Sequence, residues 1–116
     1  MERIWKPENE LRAIAEQHSR YVHVRTMHGG NSHDTFRKAT KRQQEVLYGV
    51  IYGALLGMNY SSECRKSKDM ERVVVDTAEF QADILMRPLL RDGEEFQGYM
   101  GVYLPLMRIL DKWERQ

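Results

Sequence analysis

The feature that most constrains the fold is the segment from Val46 to Met58, which is apolar on nearly every side. Tyr48 and Tyr52 are the main interruptions, and a helix that is apolar all round is normally buried at the centre of a domain. The segment is too short to cross a bilayer, which takes about 20 apolar residues. The sequence therefore predicts a central core helix and no membrane partner.

A stripe of three glycines runs along that helix. Gly49, Gly53 and Gly57 recur at intervals of four, so they lie on one side. Each is about 0.8–1 kcal/mol less favourable than alanine, which makes a loss of about 2–3 kcal/mol in all. Close approach of a second helix offsets such a loss in membrane proteins. Two versions stay open: a contact within one chain, and an interface between two copies that includes Tyr48 and Tyr52.

The rest of the chain also shows apolar residues at helical spacing. We expect a first helix over 7–24, a central helix that begins at Ser32 or Asp34, a third over 68–90 and a last one from Glu94. Paired glycines before the central helix mark the clearest break between elements.

Two short stretches compete with this helical interpretation. Residues 21–26 alternate between apolar and polar, and residues 72–75 are rich in valine, so a short strand in either place stays open. The length of 116 residues, with 41% hydrophobic and 30% charged residues, suits one folded domain. We predict an all-α domain over 1–116, a compact bundle of about four helices around a central glycine-faced helix.

Basic residues cluster just before the apolar segment. Arg37, Lys38, Lys41 and Arg42 are expected on the first two turns of the central helix, next to His33. Such a patch is able to contact phosphates, although a net charge of +1 gives no general attraction to nucleic acid. A nucleic-acid-binding regulator is therefore one alternative function, and a solvated helix face is the simpler explanation.

A second alternative comes from acidic residues. Glu79 and Asp83, with Glu45 or Glu63 on another helix, resemble the magnesium site of all-α nucleotide pyrophosphohydrolases such as the MazG family. Magnesium takes hard oxygen ligands, and the resemblance implies a magnesium-dependent hydrolase of that kind. The chain lacks the glutamate-rich first motif of that family. Acids near a helix start also complement the helix dipole.

The histidines and the cysteine argue against a metal centre. His18, His23, His28 and His33 stand five residues apart, and five residues turn a helix by about 140°, so neighbours point apart. Cys64 is the only cysteine, which excludes an internal disulfide and a cysteine-based zinc site within one chain. We expect no bound metal and a cytoplasmic location.

No nucleophile with a matching base and no glycine-rich phosphate loop is recognisable in the sequence. We therefore expect a small non-enzymatic protein-interaction or regulatory module that uses no cofactor. Its partner would be another protein or a second copy in a homodimer. Small one-domain chains of this kind are often accessory proteins of phages or mobile elements that bind and modulate a host protein.

Overall fold

A computed structural model describes residues 6–114 and places a three-stranded antiparallel sheet beside the helices. The helices are α1 (Glu8–Ser19), α2 (Lys41–Tyr60), α3 (Ser62–Lys66), α4 (Lys68–Met86) and α5 (Leu104–Glu114). The strands are β1 (Tyr21–His28), β2 (Asn31–Lys38) and β3 (Glu94–Phe96), in the order β2-β1-β3. The prediction of an all-α bundle of four helices is wrong, because the fold is α+β.

The largest departure from the prediction is the hairpin formed by β1 and β2. Helix α1 ends at Ser19, and β1 then buries Val22 and Val24 on one face while His23 between them lies on the other. Gly29 and Gly30 have φ values of +57° and +84°. Two consecutive residues at positive φ form the tight turn that suits a two-residue hairpin. The glycine pair therefore closes a hairpin and does not precede a helix.

The central helix begins later than predicted. The Thr40 hydroxyl accepts a hydrogen bond from the Gln43 backbone N–H at 3.2 Å, and the Gln43 side-chain oxygen accepts one from the Thr40 N–H at 3.0 Å. This reciprocal pair is a capping box, which starts α2 at Lys41. Ser32 and Asp34 lie in β2 instead, in a strand whose side chains are almost all exposed.

The third predicted helix forms without interruption. The Ser67 side chain accepts a hydrogen bond from the Met70 N–H and caps α4, so residues 72–75 are helical and not a strand. The helix gives way at Met86 to one short 3-10 turn that contains Pro88. The segment expected to open the last helix is β3, which pairs antiparallel with β1. A π-helical turn over Tyr99–Tyr103 then leads into α5.

An ion pair joins the two outer strands of the sheet. The Arg37 guanidinium on β2 donates to both carboxylate oxygens of Glu94 on β3, at 2.9 and 3.0 Å. Only 6% of the Glu94 side chain and 19% of the Arg37 side chain are exposed, and this contact holds the pKa of Glu94 below its usual value. Arg37 also donates to the Gln43 side-chain oxygen at 3.4 Å, and the Gln43 amide donates to the Leu89 carbonyl at 2.7 Å, so Gln43 extends the network to α2 and to the turn after α4. The network thus joins strand β2, the N-terminal cap of α2 and the turn that follows α4.

Helix α2 packs against both α1 and α4, and the core lies along its buried side. Leu47, Ile51 and Leu55 are almost completely buried there. At its far end the buried Asn59 side chain accepts from the Lys6 N–H and donates to the Lys6 carbonyl, which ties the chain before α1 to α2. Within residues 6–114, no helix is long and apolar enough to cross a membrane.

Candidate protein-binding face

The glycine stripe of α2 lies open at the surface. Apart from its own stretch of helix backbone, a Cβ atom added to Gly49, Gly53 or Gly57 would meet no described atom within 4 Å. The version in which these glycines pack against another helix of the same chain is therefore wrong for the described residues. The glycines still weaken an exposed helix relative to alanine, and nothing in the described part of the chain offsets that loss at the stripe.

A groove lies beside the stripe, between α2 and α4, with a volume of about 600 Å³. It joins the first half of α2 to the second half of α4, so the two helices run antiparallel. Its walls are largely aliphatic or aromatic, and Glu45 is the charged member. The lining residues are Glu45, Val46, Gly49, Val50, Phe80, Gln81, Ile84 and Leu85.

The outer side of α4 continues this apolar surface. Phe80 is 64% exposed, and Val73, Ile84 and Leu85 are also exposed. Large apolar side chains that cluster at the surface mark interaction sites, whereas single ones are common. We call this surface the α2–α4 face. It comprises Val46, Gly49, Gly53, Gly57, Val73, Phe80, Ile84 and Leu85.

The two tyrosines predicted for the interface lie beside α1. The rings of Tyr48 and Tyr52 are 5.6 Å apart between centroids. The Arg12 side chain of α1 donates to the Tyr52 hydroxyl at 3.3 Å and lies 5.9 Å from the centre of that ring. Tyr48 and Tyr52 therefore border the glycine stripe on its α1 side, and neither lines the groove.

The predicted basic patch is divided between two elements. Arg37 and Lys38, with His33, lie on β2, while Lys41 and Arg42 occupy the first turn of α2. Neighbouring residues of a strand point to opposite faces, so the first two basic side chains diverge. The expectation of four cations on one helix is wrong because β2 and the Thr40 cap occupy the predicted helix start.

Two of those cations are also engaged within the chain. Arg37 is held by Glu94, and the Arg42 guanidinium lies 3.7 Å from the Glu45 carboxylate. The second pair is exposed and contributes little to stability. A continuous phosphate-binding surface is therefore not assembled from these residues.

The acidic residues that resemble a magnesium site lie on three different helices. Glu79 and Asp83 lie one turn apart on α4, where burial raises the pKa of both carboxyl groups. A Cβ on Gly98 would come within 2.5 Å of an Asp83 carboxylate oxygen, so backbone passes close to these acids. Glu45 lies in the groove, and Glu63 is on α3. Residues 6–114 contain no cluster of three or more side chains suited to a metal ion.

Comparisons with protein-family models, curated proteins and solved structures find no match to this chain. The α2–α4 face was recognisable in part from the sequence, because the glycine spacing predicted one bare side of α2. Phe80, Ile84 and Leu85 were not singled out from the sequence as members of this face, since their helical spacing also fits a helix that packs into a core.

Proposed function

We propose that the protein is a protein-interaction module that pairs with a second copy of itself through the α2–α4 face. The observation that carries this proposal is the open glycine stripe beside an open apolar groove. A helix that lies along Gly49, Gly53 and Gly57 can approach the backbone closely because no side chain intervenes. The same approach brings apolar side chains of the arriving chain into the groove, which removes both surfaces from water.

The arrangement of the glycines favours a second copy over an unrelated partner. Gly53 lies midway between the other two, so a two-fold axis beside it produces an antiparallel pair of α2 helices. Gly49 then faces Gly57 of the second copy, and Gly53 faces its own equivalent. A two-fold contact uses one surface patch twice, which is the commonest arrangement in homodimers. An unrelated partner does not require this symmetry.

The dimensions of the face also suit a dimer. Helices α2 and α4 have 20 and 19 residues, so each is about 30 Å long. Two packed helices present a width of about 18 Å, which gives a flat footprint of about 500 Å². The accessible area of a textured surface exceeds its footprint, and stable interfaces use about 600–1000 Å² per partner. The face is therefore large enough.

A cytoplasmic location and a regulatory role in modulating a host protein belong to this proposal. The single cysteine, Cys64, is free and buried, which suits a reducing compartment. The basic residues predicted for nucleic-acid binding are dispersed over two elements, and the carboxylates predicted for a hydrolase are not gathered, so neither set of residues supports its alternative. An accessory role in a phage or mobile element stays a prediction from size alone.

Sedimentation velocity over a range of protein concentrations tests the proposal. The wild-type chain is expected to be dimeric at tens of micromolar, and Phe80→Asp is expected to be monomeric because a charge enters the groove. Phe36→Asp is the matched control, since it changes another exposed phenylalanine outside the face, and it should remain dimeric. A wild-type chain that is monomeric even at 0.5 mM contradicts the proposal, as does a dimeric Phe80→Asp variant.

A further inference from the structure

A second cavity, of about 270 Å³, is built from three parts of the chain that the proposed dimer does not use. Gln17 and His18 come from the end of α1, and Tyr21, His23 and Phe36 come from one face of the β1–β2 hairpin. Gly101 of the π-helical turn and Pro105 at the start of α5 close the remaining side. Residues distant in sequence thus converge on one small space.

Aromatic rings form one wall of this cavity. The rings of Tyr21 and Phe36 stack with their centroids 4.8 Å apart and their planes 20° apart, and His23 lies 4.4 Å from Phe36. Phe36 nevertheless remains 59% exposed. Cross-strand aromatic pairs stabilise hairpins, which explains the stacking. That role does not require a cavity beside the rings, so the wall is also available to a ligand.

The other walls provide hydrogen-bonding groups and a narrow space. Burial lowers the pKa of His18 and His23, and the charge of Lys112 lowers that of His18 further. Each ring is therefore neutral near pH 7 and has one N–H donor and one acceptor nitrogen. Gln17 adds an amide, which both donates and accepts. These groups suit the edge of a planar heterocycle better than a hydrocarbon ring.

Positive charge lies at the rim. Lys38 pairs with Tyr21 across the hairpin, so its side chain projects on the same face as the aromatic wall. Lys112 is near enough to His18 to lower its pKa. Pro105 lines the cavity, and Arg108 and Lys112 follow it at helical spacing on α5. An anionic group attached to the bound ring would lie near these cations.

We propose that this cavity binds one nucleobase together with its phosphate, either in a free nucleoside monophosphate or in a single strand. A volume of 270 Å³ is below the range of about 300–1000 Å³ that drug-sized ligands occupy, so it accepts one ring system. Exposed aromatic side chains on a sheet hold unpaired bases by stacking. The proposal is independent of the dimer, because the α2–α4 face contributes none of these residues.

The test is a titration of the ¹⁵N-labelled full chain, monitored by NMR through the amide chemical shifts of residues around the cavity. The probes are adenosine monophosphate, adenosine, ribose 5-phosphate and a hexa-adenylate strand. Adenosine monophosphate is expected to shift the amide signals of Tyr21, His23 and Gly101. It should bind more tightly than adenosine and much more tightly than ribose 5-phosphate. A strand that binds more tightly than the mononucleotide identifies single-stranded nucleic acid as the source, and equal binding identifies the free nucleotide.

Two variants keep the test specific. Phe36→Ala is expected to weaken binding of adenosine monophosphate at least about fivefold, the effect of losing one stacked ring. Phe80→Ala, the control at an exposed phenylalanine of α4, should bind as the wild type does. Gly101→Ala places a methyl group in the cavity at ordinary contact distance from Phe96 and His23, and it should weaken binding without unfolding the chain. The proposal is overturned by an absence of shifts at 10 mM probe, by ribose 5-phosphate binding as tightly as the nucleotide, or by equal effects of Phe36→Ala and Phe80→Ala.

Discussion

Replacement of Gly49, Gly53 and Gly57 together by alanine is expected to stabilise the single chain while it weakens the dimer. The three positions are helical and have open space where a Cβ would lie, so alanine enters each without a clash. It reduces the conformational freedom of the unfolded chain and favours the helix. In the proposed dimer the same methyl groups would hold the two α2 helices apart.

The gain follows from helix propensity. Each exposed glycine-to-alanine change contributes about 0.8–1 kcal/mol, so the triple variant gains about 2–3 kcal/mol in free energy of unfolding. For a domain of this size that corresponds to a rise in melting temperature of about 10 °C. Gly93→Ala is the control, because Gly93 has a φ of +80°, which alanine rarely adopts, and it should lose stability.

Urea unfolding followed by circular dichroism, at a concentration where the wild type is monomeric, measures the first effect. Sedimentation velocity at tens of micromolar measures the second. A triple variant that is less stable than the wild type at low concentration would show that the stripe is covered within one chain. A triple variant that dimerises as tightly as the wild type would show that the stripe is not the contact between copies.

Three further predictions concern the fold and are measured by urea unfolding. Glu94→Gln or Arg37→Met should lower the free energy of unfolding by about 2–4 kcal/mol, because each leaves a largely buried partner unsatisfied; a loss under about 0.5 kcal/mol would contradict the structural role of this pair. Thr40→Ala should cost about 1 kcal/mol through loss of the helix cap, and an unchanged stability would argue against the capping box. Burial lowers the pKa of His18 and His23 in the folded chain, so the unfolded chain binds more protons below about pH 6.5 and stability should fall as the pH drops from there. The double variant His18→Gln/His23→Gln should flatten that pH dependence, and an equally steep profile would exclude these histidines as its source.

The hairpin shows where local sequence patterns were insufficient. The alternation over 21–26 and the glycine pair after it were both visible, but β2 is exposed along nearly its whole length and has no apolar alternation. A strand without a buried face gives no periodic signal, because its stability comes from pairing with β1. Thr40 and Gln43, three residues apart, were the local sign of the true helix start.

The central helix was predictable because its apolar pattern is independent of its neighbours. The side on which the glycines lie was predictable for the same reason. What lies against the glycine side could not be predicted, because it depends on how α1 and α4 pack against α2. The Arg37–Glu94 pair joins residues 57 apart in sequence, and the aromatic cavity needs α1, the hairpin and α5 together. Contacts of this range come from tertiary packing.

Disulfide cross-linking through residue 53 tests the proposed pairing most directly. In a Cys64→Ala background, Gly53→Cys places one thiol beside the two-fold axis while Gly49 and Gly57 stay bare, so the two Cα atoms at residue 53 come within the separation of about 4.4–6.8 Å that a disulfide spans. The proposed interface predicts rapid formation of a covalent dimer on mild oxidation, while Ala13→Cys, exposed on α1, stays largely monomeric. Cross-linking at residue 53 that is no faster than at residue 13 would contradict it.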